Sequence, residues 1–380
     1  MKKNYLFTPG PTQVPPEVLL AEAQPAIHHR TPQFSRIFKE LSEDLKYLFQ
    51  TEKGEVFTLS SSGTGGMEAC VANMMSKGEK ALVLSAGKFG ERWAELCSVF
   101  GVETVIAKAE YGDAIDPAVV ESILNQHKDI KAVFATQSET STGVLHNIEK
   151  ISKIVKGYGA LLIVDSITGI GIHRFPFDEW GVDVAVTGSQ KGCMLPPGLA
   201  FVCVSPNAWD AIEASDLPKY YWDFKKMRKS LKDDTTAFTP SVSLIVAMKK
   251  ALDMIKEEGI ADVWKRHERL ASATREGVKA LGLELFAGVN SSNVVTSVKA
   301  PEGVEIGAVI KKLRDEYGVT FTGGQGSMKG QIFRIGHIGY IDEFDIITAI
   351  AAIEKGLSGA GHTIDFGKGI TAVQRALANS

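Results

Sequence analysis

The feature that most limits what this chain can fold into is an alternation. From about residue 55 to residue 205, short apolar runs of strand length take turns with stretches of helical periodicity. The runs are Val56-Phe57-Thr58-Leu59, Ala81-Leu82-Val83-Leu84, a segment near 104–107, 131–136, 160–164, 182–186 and 199–204. Near-continuous apolar runs of this kind read as strands covered on both faces, and helices between them read as crossovers of a parallel sheet. Ligands of such sheets sit at the carboxyl ends of the strands. The chemistry is therefore to be sought in the residues that follow each run.

Those residues are polar or small. Leu59 is followed by Ser60-Ser61-Ser62-Gly63-Thr64-Gly65-Gly66 and then by a helix predicted over 67–75. Small residues let the backbone approach a ligand, and the free N–H groups of a helix start attract phosphate. The stretch has no Walker lysine, and Glu68 stands where GxGxxG needs its third glycine, so a plain strand-to-helix turn stays open. Phe89, after 81–84, either covers a flat ligand ring or packs under the next helix. The loop 137–144 offers hydroxyl donors.

Asp165 ends the run 160–164, and Lys191 follows the run 182–186. Alone, a strand-end Asp caps the next turn and a lone Lys is solvated. Together, on consecutive strands, they point to one ligand. A lysine at the mouth of a sheet becomes a Schiff-base amine when desolvation lowers its pKa. A buried acid can hold a protonated pyridine nitrogen, the arrangement that makes pyridoxal 5'-phosphate an electron sink.

Outside the alternating core, Pro9, Pro11, Pro15 and Pro16 force an extended arm over 4–16. A helix near Glu17 and a longer one over 33–49, with an apolar stripe from Phe34 to Phe49, come next. His28-His29-Arg30 lie in the loop between them, either as a solvated basic loop or as an anion site built on the guanidinium fork. The segment 216–239 is aromatic and basic, which suits a subunit contact or a pocket wall. After helices reaching about residue 281, the order changes to a strand over 291–298, a helix over 306–317, a strand over 331–336 and a last helix over 343–357. Arg334 is the one charge in its apolar strand and requires a carboxylate, from the protein or from a ligand. The expected organisation is an arm (1–15), a large domain (16–255) and a small C-terminal α+β domain (256–380).

Charge and cysteine usage narrow the class. With 42 basic and 45 acidic residues, net −3, the chain gives no reason to expect nucleic acid or an anionic membrane as partner. No apolar run approaches the roughly 18 residues of a membrane span. Pro9-Gly10-Pro11 interrupt what a secretory leader would need. Cys70, Cys97, Cys193 and Cys203 make no metal-like grouping, so no metal site and a reduced cytoplasmic setting are expected.

Taken together, Pro9-Gly10-Pro11, Ser62-Gly63-Thr64, Glu139-Thr140-Ser141-Thr142-Gly143, Val164-Asp165-Ser166, Gly188-Ser189-Gln190-Lys191 and Phe333-Arg334-Ile335-Gly336 resemble the class V, fold-type I pyridoxal-phosphate aminotransferases, in the alanine-glyoxylate and serine-pyruvate branch. The resemblance spans nearly the whole chain. It implies an α/β fold with a mostly parallel seven-stranded sheet and a small α+β domain, and an active site shared between two subunits of a homodimer. It implies Lys191 as the Schiff-base lysine and proton-transfer base, and Asp165 on the pyridinium nitrogen. Ser62, Gly63, Thr64 and Gln190 would be at the phosphate, Phe89 on the ring, and Thr140 beside the ring hydroxyl. Arg334 would hold the substrate carboxylate, with Gly10, His29 and Arg30 also at the substrate. Thr236 and Thr239, or Thr235, would complete the phosphate site of the second subunit. The implied reaction moves an amino group from alanine or serine to glyoxylate or pyruvate. His29-Arg30 also resembles the element by which phosphoserine aminotransferases hold a substrate phosphate, which leaves a phosphoserine or aminophosphonate donor open. Two readings without this chemistry are a Rossmann-type nucleotide binder using 62–66 and an interaction protein using 216–224.

Overall fold

A computed structural model describes residues 3–379. Residues 1, 2 and 380, at the tips of the expected arm and C-terminal domain, lie outside the described residues.

The seven apolar runs form one sheet. Its strands are β1 (Glu55–Leu59), β2 (Lys80–Ser85), β3 (Glu103–Lys108), β4 (Ile130–Thr136), β5 (Leu161–Asp165), β6 (Val184–Gly188) and β7 (Ala200–Val204). Their order across the sheet is β1-β7-β6-β5-β4-β2-β3. β7 runs against both its neighbours, while β6, β5, β4, β2 and β3 pair in parallel. Successive side chains bury on opposite faces: Leu162 and Val164 join one apolar cluster, and Ile163 joins the other. With cover on both faces every position is apolar, which is why the runs read as continuous rather than alternating. The carboxyl ends of β1, β2, β4, β5 and β6 share one edge, so Ser62, Phe89, Thr140, Asp165 and Lys191 converge there from distant parts of the chain.

Several predicted bounds move. β6 occupies Val184–Gly188 in place of 182–186, because Asp183 takes the Leu162 N–H at 2.8 Å as a side-chain plug at the strand's entry. Helix α1 (Gly63–Met74) starts four residues before the predicted 67–75. Gly63 and Gly66 are helix-packing residues: a Cβ there would come within 2.5 Å of Ile167 Cδ1 and of Val186 Cγ2, respectively.

The C-terminal part forms a three-stranded antiparallel sheet, β8 (Val295–Lys299), β9 (Thr322–Gly323) and β10 (Ile332–Gly336), in the order β8-β10-β9. The predicted strand over 291–298 starts late, because residues 290–293 leave the sheet to dock elsewhere. The last helix is Lys368–Ala378, beyond the one expected to end the chain. The arm is extended as predicted. Tyr5–Leu6 pairs with Val319–Thr320, and Phe7 is fully buried with its ring 5.6 Å from that of Phe321. Among the described residues no helix is long and apolar enough to cross a membrane.

Candidate active site

The carboxyl edge holds a cavity of about 110 Å³ whose walls include Ser62, Gly63, Thr64, Asp165, Gln190 and Lys191. Phe89 and Thr140 line it as well. Eight cofactor-site residues expected from different strand ends therefore meet in one space. The start of α1 faces it with no side-chain cap from Ser62, which leaves the electropositive helix end to a ligand. Gln190 Oε1 is buried with no partner. A Cβ on Gly188 would sit 3.2 Å from Gln190 Oε1 and 3.6 Å from Gly63 N, so the glutamine and the helix start converge on the same corner.

Asp165 and Lys191 are perturbed in opposite senses. Burial pushes the Asp165 carboxyl up to about 7, against the Ile167 N–H it accepts at 2.9 Å. Burial pulls the Lys191 amine down to about 8; Asp165 resists that shift, and Arg334 and Arg92 add to it. Desolvation disfavours whichever form is charged, so acid and base approach each other across neutral pH. Lys191 Nζ donates to Pro9 O at 2.9 Å. Gly10 has a φ of +139°, a conformation that favours glycine, and a Cβ on it would collide with Lys191 Nζ. The arm thus packs directly against the Lys191 amine.

Three residues at this site were given no individual role by the sequence reading: Arg92 went unnoticed, while Glu139 and Ser138 were seen only as parts of the loop 137–144. Arg92 lies one turn after Phe89 on helix α2 (Lys88–Val99), its guanidinium 4.9 Å from the Phe89 ring centre and its Nη1 donating to Thr64 Oγ1 at 3.1 Å. The i, i+3 spacing to Phe89 was the available signal. Glu139 is fully buried and its Oε2 accepts from Phe89 N at 2.9 Å and Gly90 N at 3.0 Å, so it fixes the start of α2 and the ring it carries. Burial pushes Glu139 up; its Ser141 and backbone donors pull it back. Ser138 lines the cavity beside Thr140.

Arg334 is buried on the central strand β10, but its expected carboxylate partner is absent from its hydrogen bonds. Nε and Nη2 donate to Gly323 O at 3.0 and 2.7 Å, and Nη1 donates to Thr140 O at 2.8 Å. Carbonyls satisfy part of the fork without neutralising it, and burial pulls its pKa down.

His29, Arg30, Thr236 and Thr239 are not in this cavity. Arg30 Nη1 donates to Thr235 Oγ1 and Thr236 O, each at 2.9 Å, and His29 Nε2 lies 3.5 Å from Thr239 Oγ1. Thr236 Oγ1 donates to Phe238 O at 2.7 Å. These residues form a second, partly exposed cluster on the segment 235–239. Among the described residues no three His, Cys, Asp or Glu side chains are grouped as a metal site needs.

Residues 4–337 match the family model "Aminotransferase class-V". The chain belongs to the class-V aminotransferases. It is 44% identical over its whole length to a cyanobacterial protein named soluble hydrogenase small subunit (Synechococcus sp.), of which 99% is covered. It is 36% identical to the serine–glyoxylate aminotransferase of Methylorubrum extorquens, over 99% of this chain and 96% of that one. Among solved structures it resembles the ureidoglycine–glyoxylate aminotransferase of Bacillus subtilis, with a TM-score of 0.96 and 28% identity over 100% of this aminotransferase and 99% of that chain. The fold is accordingly the α/β fold-type I arrangement, with its large sheet and smaller α+β part.

Proposed function

We propose that the chain is a pyridoxal 5'-phosphate-dependent aminotransferase that transfers the amino group of a small amino acid, alanine or serine, to a 2-oxo acid, glyoxylate or pyruvate. The observation that carries this reading is the pair Asp165 and Lys191 in one cavity, at and just beyond the ends of adjacent strands, beside an uncapped helix start. The residues fit the cofactor: the α1 start, Thr64 and the unpartnered Gln190 Oε1 suit a phosphate corner, and Phe89 offers a face to a flat ring. When bound, the cofactor supplies an electron sink for the electrons released at the substrate α-carbon.

The protein's part follows from its own groups. Lys191, the proposed Schiff-base lysine, has its amine drawn down toward neutral pH by burial, which enlarges the share of free amine that would bond the cofactor and take and return the α-proton. Asp165 would hold the cofactor's ring nitrogen in its protonated form, because a cation beside the carboxylate lowers the cost of its buried charge. Arg334 offers its remaining guanidinium donors to the substrate carboxylate, oriented by the two carbonyls it already holds. Glu139 and Arg92 hold Phe89 and the phosphate corner in place. The segment 235–239 with Thr236 and Thr239 is proposed to face the site of a second subunit in a cytoplasmic homodimer. His29 and Arg30 sit on that same segment, which favours a second reading in which they receive an anionic group of the donor.

Lys191→Ala is expected to abolish the near-visible absorbance of the bound cofactor and to lower turnover by on the order of 10²–10⁴-fold. Undiminished turnover in that variant sinks the scheme. A half-reaction screen with alanine, serine and phosphoserine separates the two donor classes: phosphoserine outpacing the others, with the advantage lost in Arg30→Ala, establishes the second reading.

A further inference from the structure

A buried polar path runs from the cavity wall into the C-terminal part and has no role in the mechanism above. Ser138 Oγ lies 2.7 Å from Ser292 Oγ, and Ser292 Oγ lies 3.0 Å from His173 Nε2. Ser138, Ser292 and His173 are all buried. Ser138 sits in the hairpin that follows β4 and lines the cavity. Ser292 belongs to the loop 290–293, which docks on that hairpin through Leu145 N to Asn290 O at 2.7 Å and Ser292 N to Gly143 O at 2.8 Å.

The sense of each bond can be worked out. Asn293 N donates to His173 Nε2 at 3.2 Å, so that nitrogen carries a lone pair and the ring proton is on Nδ1. Burial, with Arg275 nearby, pulls the His173 pKa down to about 4, which keeps the ring neutral. A hydroxyl facing that lone pair must donate, so Ser292 gives its single proton to His173. Val294 N donates to Ser292 Oγ at 3.1 Å, and with its proton committed Ser292 can only accept from Ser138 as well. The Ser138 proton is then turned away from the cavity, and its lone pairs face in.

We propose that His173, acting through Ser292, is a positioning residue that makes Ser138 a fixed hydrogen-bond acceptor on the cavity wall, selecting a ligand that presents an N–H or O–H there. The arrangement is complete only when the loop 290–293 is seated. That loop leads directly into β8, the partner of the strand carrying Arg334, so the polarity of the wall and the placing of the arginine are set together.

Two measurements on the full chain test this, and only the second rests on the cofactor reading. Long-range ¹H–¹⁵N correlation of histidine-labelled protein reads the tautomer at pH 7, with His173 assigned by the signal that Ser292→Ala shifts or His173→Gln removes. The Nδ1–H form is expected; an Nε2–H form or an imidazolium overturns the proposal. The dissociation constant of pyridoxal 5'-phosphate, followed by tryptophan fluorescence, is then compared in Ser138→Ala, His173→Ala and the double variant. Each single change is expected to weaken binding roughly three- to tenfold, and the double variant no further than Ser138→Ala alone. His173→Gln, whose amide oxygen can accept, is expected within about twofold of the parent. Losses that multiply in the double variant overturn the relay. If the parent protein itself fails to bind the cofactor, the function proposed above falls, and the tautomer alone decides this inference.

Discussion

The two polar clusters of this chain use similar residue types in opposite settings. Asp165 at the sheet edge and Arg334, which reaches Thr140 from β10, are each 3% exposed, and acid, amine and guanidinium are all drawn away from their ordinary pKa values, chiefly by burial. In the cluster of His29 and Arg30 with the 235–239 segment, Arg30 and Thr239 are exposed, and the arginine spends one nitrogen on Thr235 and Thr236 oxygens. Burial makes the first cluster the proposed reacting centre, because a desolvated charge is relieved by a ligand that supplies its complement. The second has no such tension and needs a counterpart from outside to acquire a role. That difference separates the proposed reacting centre from the proposed subunit-facing edge better than residue identity does.

After Lys191, Asp165 is where a single substitution should cost most. Asp165→Asn is expected to reduce turnover by on the order of 10²–10³-fold, the scale of losing one placed electrostatic stabiliser. Activity within tenfold of the parent would mean that enclosure of the acid is incidental. The amine gives a sharper test through pH. Since Lys191 is pulled down from 10.5 to about 8, its reactive neutral form grows as pH rises through 8. The rate at which cofactor-free protein captures pyridoxal 5'-phosphate should therefore climb between pH 7 and 9 and then level off. Stopped-flow absorbance that keeps climbing toward pH 10.5 would show an ordinary solvated lysine. The smallest effect belongs to the exposed cluster: Arg30→Ala should alter turnover with alanine or serine by less than about threefold, because an exposed hydrogen-bonded charge contributes little. A steady-state assay showing a hundredfold loss would move that cluster into the reacting centre.

Much of the sheet edge was legible because parallel strands leave a local signature: an apolar run, then a polar residue at the functional end. Asp165, Lys191 and the Ser62–Thr64 stretch were located that way, and Phe89 as an apolar ring out of place among small and polar neighbours. What escaped depends on contacts between remote segments. The early start of α1 was hidden because its glycines resemble a loop, whereas they admit Ile167 and Val186 against the helix. Glu139 looks like any polar loop residue until Phe89 N and Gly90 N arrive from another strand end. Arg334 was recognised as a misfit in its strand, but its carbonyl partners at residues 140 and 323 carry no pattern that announces them. The final helix, Lys368–Ala378, follows a glycine-rich stretch that reads as the end of ordered structure.

The arm has a consequence for how the molecule is assembled. Its first ten or so residues leave the ribosome before everything they bind, since Lys191, Val319–Thr320 and Gly336 are made later. Closing loops of that span is slow compared with local helix formation, and domains of a nascent chain fold from the front. The lysine's enclosure must therefore be among the last parts to form, and a chain interrupted before residue 319 would hold a finished sheet whose Lys191 amine still stands open on one side.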